Sequence, residues 1–160
     1  MNKPDAFESP ATLECLVHWY QSLTPESLEQ IDCYYTEDAC FKDPFNEVKS
    51  REHIAAIFQH MFATLEAPRF IIHQCIGHGS ETFIVWDMEF RLNGRAMNIK
   101  GCSHLRHNKA GLVTQHRDYW DAAEELYEKL PILGWLMKII KRKLKTPLPV
   151  TTTTKTFIKE

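Results

Sequence analysis

The hydrophobic pattern of this chain changes its period once, at Ala67-Pro68. Before that point apolar residues recur at helical spacing, which predicts helices over residues 11–22 and 50–65 with a shorter one between them. After it, apolar and polar residues alternate, as in strands. The predicted strands are Phe70–Cys75, Thr82–Leu92, Ala96–His107 and Leu112–Trp120. Helices first and antiparallel strands afterwards predict an α+β domain.

Turn signals mark the connections between these elements. Asn93-Gly94 between two alternating runs is a strong hairpin signal. Thr24-Pro25 predicts the start of the short second helix, which ends near Tyr35. We expect a turn at residues 36–38 and a further strand at Ala39–Asp43.

Length and charge bound the class of protein. The 160 residues are enough for one domain with one core. A formal net charge of −2 excludes a generic polyanion binder, and we expect no nucleic-acid partner. The first ten residues hold Asp5 and Glu8 and lack an apolar run, so we expect no signal peptide.

The cysteine and histidine spacings do not indicate a metal site. The five cysteines show no CxxC pattern, and we interpret them as buried thiols of a cytoplasmic protein. Cys102 and His104 share a strand face, but two ligands do not make a site. Scattered glycines form no phosphate loop, so we expect neither a metal nor a cofactor.

Strand parity predicts which side chains face the core, because alternate residues share a face. On two successive strands one face is apolar. The two sets are Ile84, Trp86, Met88, Phe90 and Leu92, then Met97, Ile99, Gly101, Ser103 and Leu105. Gly101 carries no side chain, so it leaves space or lets another group approach closely.

The last strand breaks this pattern, because neither of its faces is plainly apolar. If Trp120 points inward, so do His116 and Asp118. Ionisable groups on an apolar inner face are costly unless they are paired or hydrated. They suggest a cavity with chemistry, although the two also fit a buried pair that only fixes the strand.

Asp43 is the other candidate for chemistry. It lies between Phe41 and Phe45 and precedes Pro44, at the start of the run that leads to the third helix. A carboxylate in an apolar pocket is suited to act as a general base. An Asp before a proline is also commonly a turn or cap residue, and the residues alone favour that alternative.

Four motifs, in order and with suitable spacing, resemble a known superfamily. They are residues 41–45 (Phe-Lys-Asp-Pro-Phe), Arg51–Ala56, Asn93-Gly94 and Asp118-Tyr119-Trp120. Residues 11–125 are similar to the cone fold of nuclear transport factor 2, ketosteroid isomerase and the SnoaL-like polyketide cyclases. The whole chain looks most like uncharacterised bacterial SnoaL-like proteins. The resemblance implies an α+β fold, with a cone-shaped, curved antiparallel sheet packed on three N-terminal helices and an extra C-terminal helix.

The resemblance also implies roles for single residues. Asp43 matches the isomerase general base, which moves a proton between carbons next to a carbonyl. That isomerase is itself an established example of how a protein adjusts the pKa of its carboxylates. Trp19 and Ser103 stand where the isomerase has its oxyanion donors. The adjacent Tyr20 is expected to be rotated away. His116 and Asp118 are additions, with His116 as the acid.

We therefore expect a protein with a pocket for a small apolar molecule, on which it acts as an isomerase, cyclase or dehydratase without a cofactor. Its catalytic residues would be Asp43, His116 and Asp118. The expected ligand-binding residues are Trp19, Tyr35, Phe41, Phe58, Trp86, Met88, Phe90, Ile99, Ser103 and Trp120. The alternatives are a non-catalytic binder of a hydrophobic ligand and a protein-interaction module that uses the sheet face.

The expected organisation has three parts. Residues 1–128 form the cone-fold domain, residues 129–146 a basic amphipathic helix, and residues 147–160 a flexible tail. We expect a homodimer through the outer face of the sheet. The basic helix either caps the open mouth of the cone or makes peripheral contact with a membrane.

Overall fold

The computed structural model describes residues 10–125. Helix α1 (Pro10–Gln21), a 3-10 helix (Ser27–Cys33) and α2 (Arg51–Thr64) come before most of the sheet. The strands are β1 (Tyr35–Lys42), β2 (Glu47–Lys49), β3 (Glu66–His78), β4 (Glu81–Leu92), β5 (Arg95–His107) and β6 (Val113–Tyr119), followed by α3 (Ala122–Glu125).

The six strands form one curved, open sheet in the order β2-β1-β6-β5-β4-β3. Helix α1 packs against β3, while α2 packs against β1, β3 and the 3-10 helix. The predicted α+β cone fold is confirmed. One pair departs from the antiparallel expectation, because β1 and β6 run parallel, with Phe41 opposite His116 and Lys42 opposite Arg117.

The helices and the four long strands lie where the sequence predicts them. The predicted turn at residues 36–38 was wrong, since β1 already begins at Tyr35. The sequence did not predict β2, because three residues are too few to show a period. Residues 129–160, with the predicted C-terminal helix and tail, lie outside the described residues.

The hairpin between β4 and β5 has the geometry that its sequence predicts. Asn93 and Gly94 both have positive φ, at 52° and 74°. Two such residues in succession form the turn whose twist matches that of antiparallel strands. The full register from Glu81 opposite Arg106 to Leu92 opposite Arg95 follows from it.

A bulge explains why β6 shows no apolar face in the sequence. Leu105 pairs with His116 and Arg106 with Gln115, yet His107 pairs with Val113. Thr114 is therefore an extra residue on β6, and the alternation shifts by one position there. Val113 and His116 both end up buried, although they lie on opposite faces in a regular strand.

The cysteines differ from the expectation of buried thiols. All five are free, but Cys15 and Cys33 are exposed, and the other three are half-buried. Within the described part of the chain, no helix has the length and apolar character needed to span a membrane.

Candidate functional site

A hydrogen-bonded chain of side chains crosses the interior of the cone. The hydroxyl of Tyr20, on α1, is hydrogen-bonded to that of Tyr35, on β1. The Tyr35 hydroxyl lies 2.6 Å from Nδ1 of His116. The other ring nitrogen, Nε2, lies 2.8 Å from Oδ1 of Asp118. One continuous chain thus links the first helix to the last strand.

A second branch reaches the same carboxylate from β4 and β5. The indole Nε1–H of Trp86 donates to Ser103 Oγ over 2.8 Å. That hydroxyl donates to Asp118 Oδ1 over 2.5 Å, and Ser103 and Asp118 are register partners on neighbouring strands. Two donors, His116 and Ser103, therefore meet at one oxygen of Asp118.

Burial determines the protonation state of Tyr20 and Tyr35. Both side chains lie in the core, and Tyr35 is fully inaccessible to solvent. Loss of solvation raises the pKa of Tyr20 far above its usual value. Burial likewise raises the pKa of Tyr35, and the nearby Tyr20 and Asp118 add to that shift. Both hydroxyls therefore keep their protons and act as hydrogen-bond donors in this network.

The space inside the cone is small. A void of about 20 Å³ lies between the network and the apolar wall, which is enough for roughly one water molecule. Its lining combines polar network residues with apolar side chains. They are Tyr20, Phe58, Phe70, Ile72, Ile84, Trp86, Ser103, His116 and Asp118.

A larger open cleft of about 590 Å³ lies where β1 and β6 separate. Lys42 and Arg117 are the last paired positions of these strands. Beyond them β1 turns toward β2, while β6 continues beside β5. The cleft is lined by Lys42, Asp43, Pro44, Arg117, Asp118, Tyr119, Trp120 and Asp121. Asp118 is common to the cleft and the inner void, and its side chain is 16% exposed.

Asp43 lies on the wall of the cleft, in the turn between β1 and β2. Its Oδ1 accepts hydrogen bonds from the backbone N–H groups of Phe45, over 2.7 Å, and Asn46, over 2.5 Å. The side-chain amide of Asn46 donates to both carboxylate oxygens. This geometry is that of a turn-forming Asp, which was one of the two alternatives for this residue.

The other charged groups of the cleft also have partners. Asp121 Oδ1 accepts from the backbone N–H groups of Ala123 and Glu124, at the start of α3. Lys42 pairs with Glu47 over 2.5 Å. The guanidinium of Arg117 lies 4.9 Å from the centre of the Tyr119 ring.

An apolar surface borders the cleft. Trp120 packs edge-on against Phe45 with 5.3 Å between ring centres, and Phe45 is 54% exposed. A flat apolar ligand could lie against these rings.

The structure divides the predicted site residues into four groups. The network brings together Tyr35, Trp86, Ser103, His116 and Asp118, while Asp43 and Trp120 line the cleft. Phe58 lines the void, and Phe41 packs edge-on against His116 with 4.8 Å between ring centres. Trp19, Met88, Phe90 and Ile99 are buried in the core and line neither space.

Tyr20 belongs to the network, contrary to expectation, whereas Trp19 does not. The indole N–H of Trp19 donates to the backbone carbonyl of Ser27 over 3.0 Å, and its ring stacks on Tyr34. The sequence held the signal for this, since Tyr20 follows Leu13 by seven positions on the apolar stripe of α1. The resemblance to the isomerase pointed to Trp19 instead.

Comparison with known proteins identifies the family and the fold. The SnoaL-like domain family matches residues 16–116. A search of curated proteins finds no match.

Solved structures of low sequence identity share the fold. A hypothetical protein from Catenulispora acidiphila with a ketosteroid isomerase-like fold, crystallised with trimethylamine, is 16% identical with a TM-score of 0.62, covering 74% of this chain and 92% of its own. An LEH-like epoxide hydrolase from M. tuberculosis is 15% identical with a TM-score of 0.60, covering 84% and 93%. An NTF2-like protein of unknown function from Burkholderia pseudomallei is 15% identical with a TM-score of 0.64, covering 72% and 95%.

Proposed function

This chain belongs to the SnoaL-like family, and on that premise we propose that it is a small-molecule enzyme that transfers a proton without a cofactor, as isomerases, cyclases and dehydratases do. One observation carries the proposal. Asp118 ends the buried hydrogen-bond network and also lines the open cleft. A carboxylate that is held by buried hydrogen bonds and is 16% exposed beside a cleft is placed to exchange a proton with a bound compound.

The hydrogen bonds of Asp118 leave one oxygen for that task. Both network donors, Ser103 and His116, act on Oδ1. Within residues 10–125, Oδ2 has no hydrogen-bond partner. We assign Oδ2 as the atom that takes a proton from a carbon next to a carbonyl group, and that returns it to another position of the same substrate.

The substrate would bind in the cleft, since the inner void holds only about one water molecule. Its apolar body would lie against Trp120 and Phe45, with the reacting carbon directed toward Asp118. Apolar walls with a few convergent polar groups are typical of small-molecule sites.

Asp43 is the competing candidate for the base. It lines the same cleft, but three N–H donors hold its carboxylate in the turn. Its assignment as base stays a prediction beside that of Asp118. Replacement of each carboxylate by its amide decides between them.

The experiment uses a chromogenic probe, because the natural substrate is unidentified. 5-Nitrobenzisoxazole is a flat aromatic compound that opens when a base removes its ring proton. We expect the full-length protein to accelerate this reaction above an equal concentration of acetate. Asp118→Asn should reduce the rate by about 10²-fold or more, as expected for loss of a general base.

Matched controls make the result specific. Asp38→Asn makes the same change at an exposed position of β1, outside the cleft, and should leave the rate unaltered. Full activity in Asp118→Asn would contradict the proposal, and a large loss in Asp43→Asn alone would transfer the role to Asp43. Binding of the probe without turnover would support the non-catalytic ligand-binding alternative.

We also propose that two copies associate through the outer face of the sheet. Ile76 and Phe83 are register partners on β3 and β4, and they are 52% and 43% exposed, beside the exposed Val85. Adjacent exposed apolar side chains often mark an interface. Sedimentation equilibrium should give a dimer, and Phe83→Glu should give a monomer, whereas Gln59→Glu on α2 should not. A wild-type monomer at tens of micromolar would contradict this proposal.

A cytoplasmic location is proposed on the basis of the cysteines. All five are free, although Cys15 and Cys33 are exposed to solvent, and exposed free thiols persist best in a reducing compartment. Recovery of the protein from a non-cytoplasmic fraction of its source cells would contradict this location.

A further inference from the structure

We propose that Tyr20 and Tyr35 hold His116 as its neutral Nε2–H tautomer, so that the ring acts as a fixed hydrogen-bond donor to Asp118 and not as a second proton-transferring group. This changes the role expected for His116, which was that of the acid. The role of Asp118 rests on the proposed function, but the tautomer of His116 does not.

The hydrogen atoms available along the chain determine the tautomer. Tyr20 and Tyr35 each carry one hydroxyl hydrogen, and the buried network gives each hydrogen one place to go. If Nδ1 of His116 is unprotonated, the Tyr35 hydroxyl donates to it over 2.6 Å, and the Tyr20 hydroxyl donates to Tyr35. Nε2–H then donates to Asp118 Oδ1. Every hydrogen has an acceptor in this arrangement.

A proton on Nδ1 would reverse the direction of the hydrogen bonds between His116, Tyr35 and Tyr20. Nδ1–H would donate to Tyr35, whose hydroxyl would turn to donate to Tyr20. The hydroxyl hydrogen of Tyr20 would then have no acceptor among the described residues, because the Tyr20 hydroxyl is hydrogen-bonded there only to Tyr35 and to Nδ1 of His116 itself, and it would have to turn toward the small void. A buried donor without an acceptor costs free energy, so the chain favours an unprotonated Nδ1.

The groups around His116 are consistent with this arrangement. The titratable groups in contact with it are Tyr20 from α1, Tyr35 from β1 and Asp118 from its own strand. From β5, Ser103 lies 3.3 Å from Nε2, and Leu105 is the register partner of His116. Phe41 packs edge-on against the ring, and Phe58 of α2 and Trp86 of β4 line the adjoining void. Nδ1 is thus enclosed by the two tyrosines and by apolar side chains.

The two tyrosines are therefore positioning residues, since they act through His116 and line up its Nε2–H with Asp118. The arrangement leaves Asp118 as the one carboxylate of the network and the group that exchanges a proton with substrate. His116 keeps Oδ1 in place while Oδ2 reacts.

The first test is the nitrogen NMR spectrum of the full-length, ¹⁵N-labelled protein at neutral pH. Long-range proton–nitrogen correlations distinguish a protonated from an unprotonated ring nitrogen. We expect Nε2 of His116 to be protonated and Nδ1 to be unprotonated. A protonated Nδ1 in the wild-type protein would overturn the proposal.

His107 supplies an internal reference of the opposite kind. It is buried, its Nδ1 lies 3.2 Å from the backbone carbonyl of Gly111, and its Nε2 lies 3.1 Å from the Thr82 hydroxyl. A carbonyl only accepts, so Nδ1 of His107 carries the proton. The two histidines should therefore show opposite patterns in one spectrum.

The second test removes the hydroxyls singly and together. In Tyr20→Phe the Tyr35 hydroxyl still donates to Nδ1, and in Tyr35→Phe the Tyr20 hydroxyl, 3.4 Å away, can move in to do so. Each single variant should keep the wild-type pattern of ring protonation at neutral pH. The double variant removes both hydroxyl donors to Nδ1, so the nitrogen spectrum of His116 should depart from the wild-type pattern at the same pH.

The outcomes separate this proposal from the proposed function. A double variant with the wild-type nitrogen spectrum of His116 would overturn the role of the tyrosines, whatever the activity. Full probe turnover in Asp118→Asn would overturn the proposed function and leave the tautomer of His116 intact. If the double variant does not fold, the wild-type spectrum alone still decides the tautomer.

Discussion

Trp86 occupies the space in which a side chain at position 101 would lie. A Cβ atom added to Gly101, its register partner on β5, would be only 2.3 Å from Cη2 of the indole ring. The missing side chain lets the ring lie across β5 and brings its Nε1–H to Ser103. Gly101 thus contributes to the site by leaving the space in which Trp86 reaches Ser103.

Gly101→Ala should therefore displace the Trp86 ring and break its hydrogen bond to Ser103. Overpacking of this kind costs about 1–3 kcal/mol of unfolding free energy, measured by urea denaturation. Gly77→Ala is the control, because a Cβ there would lie 3.4 Å from Leu13 Cδ2, an ordinary contact. Equal stability of the two variants would contradict the account.

Ser103→Ala should destabilise the protein by about 1–3 kcal/mol, because it leaves the buried Trp86 N–H without its acceptor. Thermal unfolding measures the effect. Ser80→Ala, on the exposed turn between β3 and β4, should change stability by less than about 0.5 kcal/mol. In a double-mutant cycle with Trp86→Phe, the two losses should be less than additive, and simple additivity would rule out the bond.

Asp43→Ala should lower the free energy of unfolding by about 1–2 kcal/mol, because the turn loses the acceptor for two backbone N–H groups. Asp43→Asn keeps an acceptor oxygen and should stay close to the wild type in chemical denaturation. If both variants match the wild type in stability, the carboxylate does not hold the turn.

Ser50 should tolerate glycine better than alanine. Its side chain caps α2 by accepting from the His53 N–H over 3.3 Å, but its φ is 121°, a value that favours glycine. Ser50→Ala loses the cap and keeps the strain, so we expect a loss of about 1 kcal/mol. Ser50→Gly loses the cap and relieves the strain, and its melting temperature should equal or exceed that of the wild type. A lower melting temperature for glycine than for alanine would contradict this.

His107 should make stability fall on acidification. Burial lowers the pKa of His107 in the folded protein, and its bond to Gly111 opposes that shift only in part. The unfolded chain therefore binds a proton first, and stability is lost as the pH falls below the usual histidine pKa of about 6.5. Chemical denaturation from pH 8 to pH 5 should show a steeper decline for the wild type than for His107→Gln. Parallel curves would exclude His107 as the cause.

Local sequence signals predicted most of the fold. Alternation and the Asn93-Gly94 turn were sufficient for β4 and β5, and the Ser50 cap marked the start of α2. Each of these features depends on neighbours in the chain, so the sequence carries it directly.

The rest depends on contacts between distant parts of the chain. The bulge at Thr114 and the parallel pairing of β1 with β6 leave no local pattern, yet they decide that His116 is buried. The grouping of His116, Asp118 and Ser103 was foreseen from strand parity and from the resemblance. The inward position of Tyr20 could have been read from the apolar stripe of α1.

The parallel pair of β1 and β6 also governs when the site can form. Tyr35 and His116 are 81 positions apart, and Tyr20 and His116 are 96 apart. Contacts between residues so far apart in the sequence carry a loop-closure cost and slow folding. During synthesis, β6 is the last of the described strands to leave the ribosome, so the hydrogen bond between Tyr35 and His116 cannot form before it does.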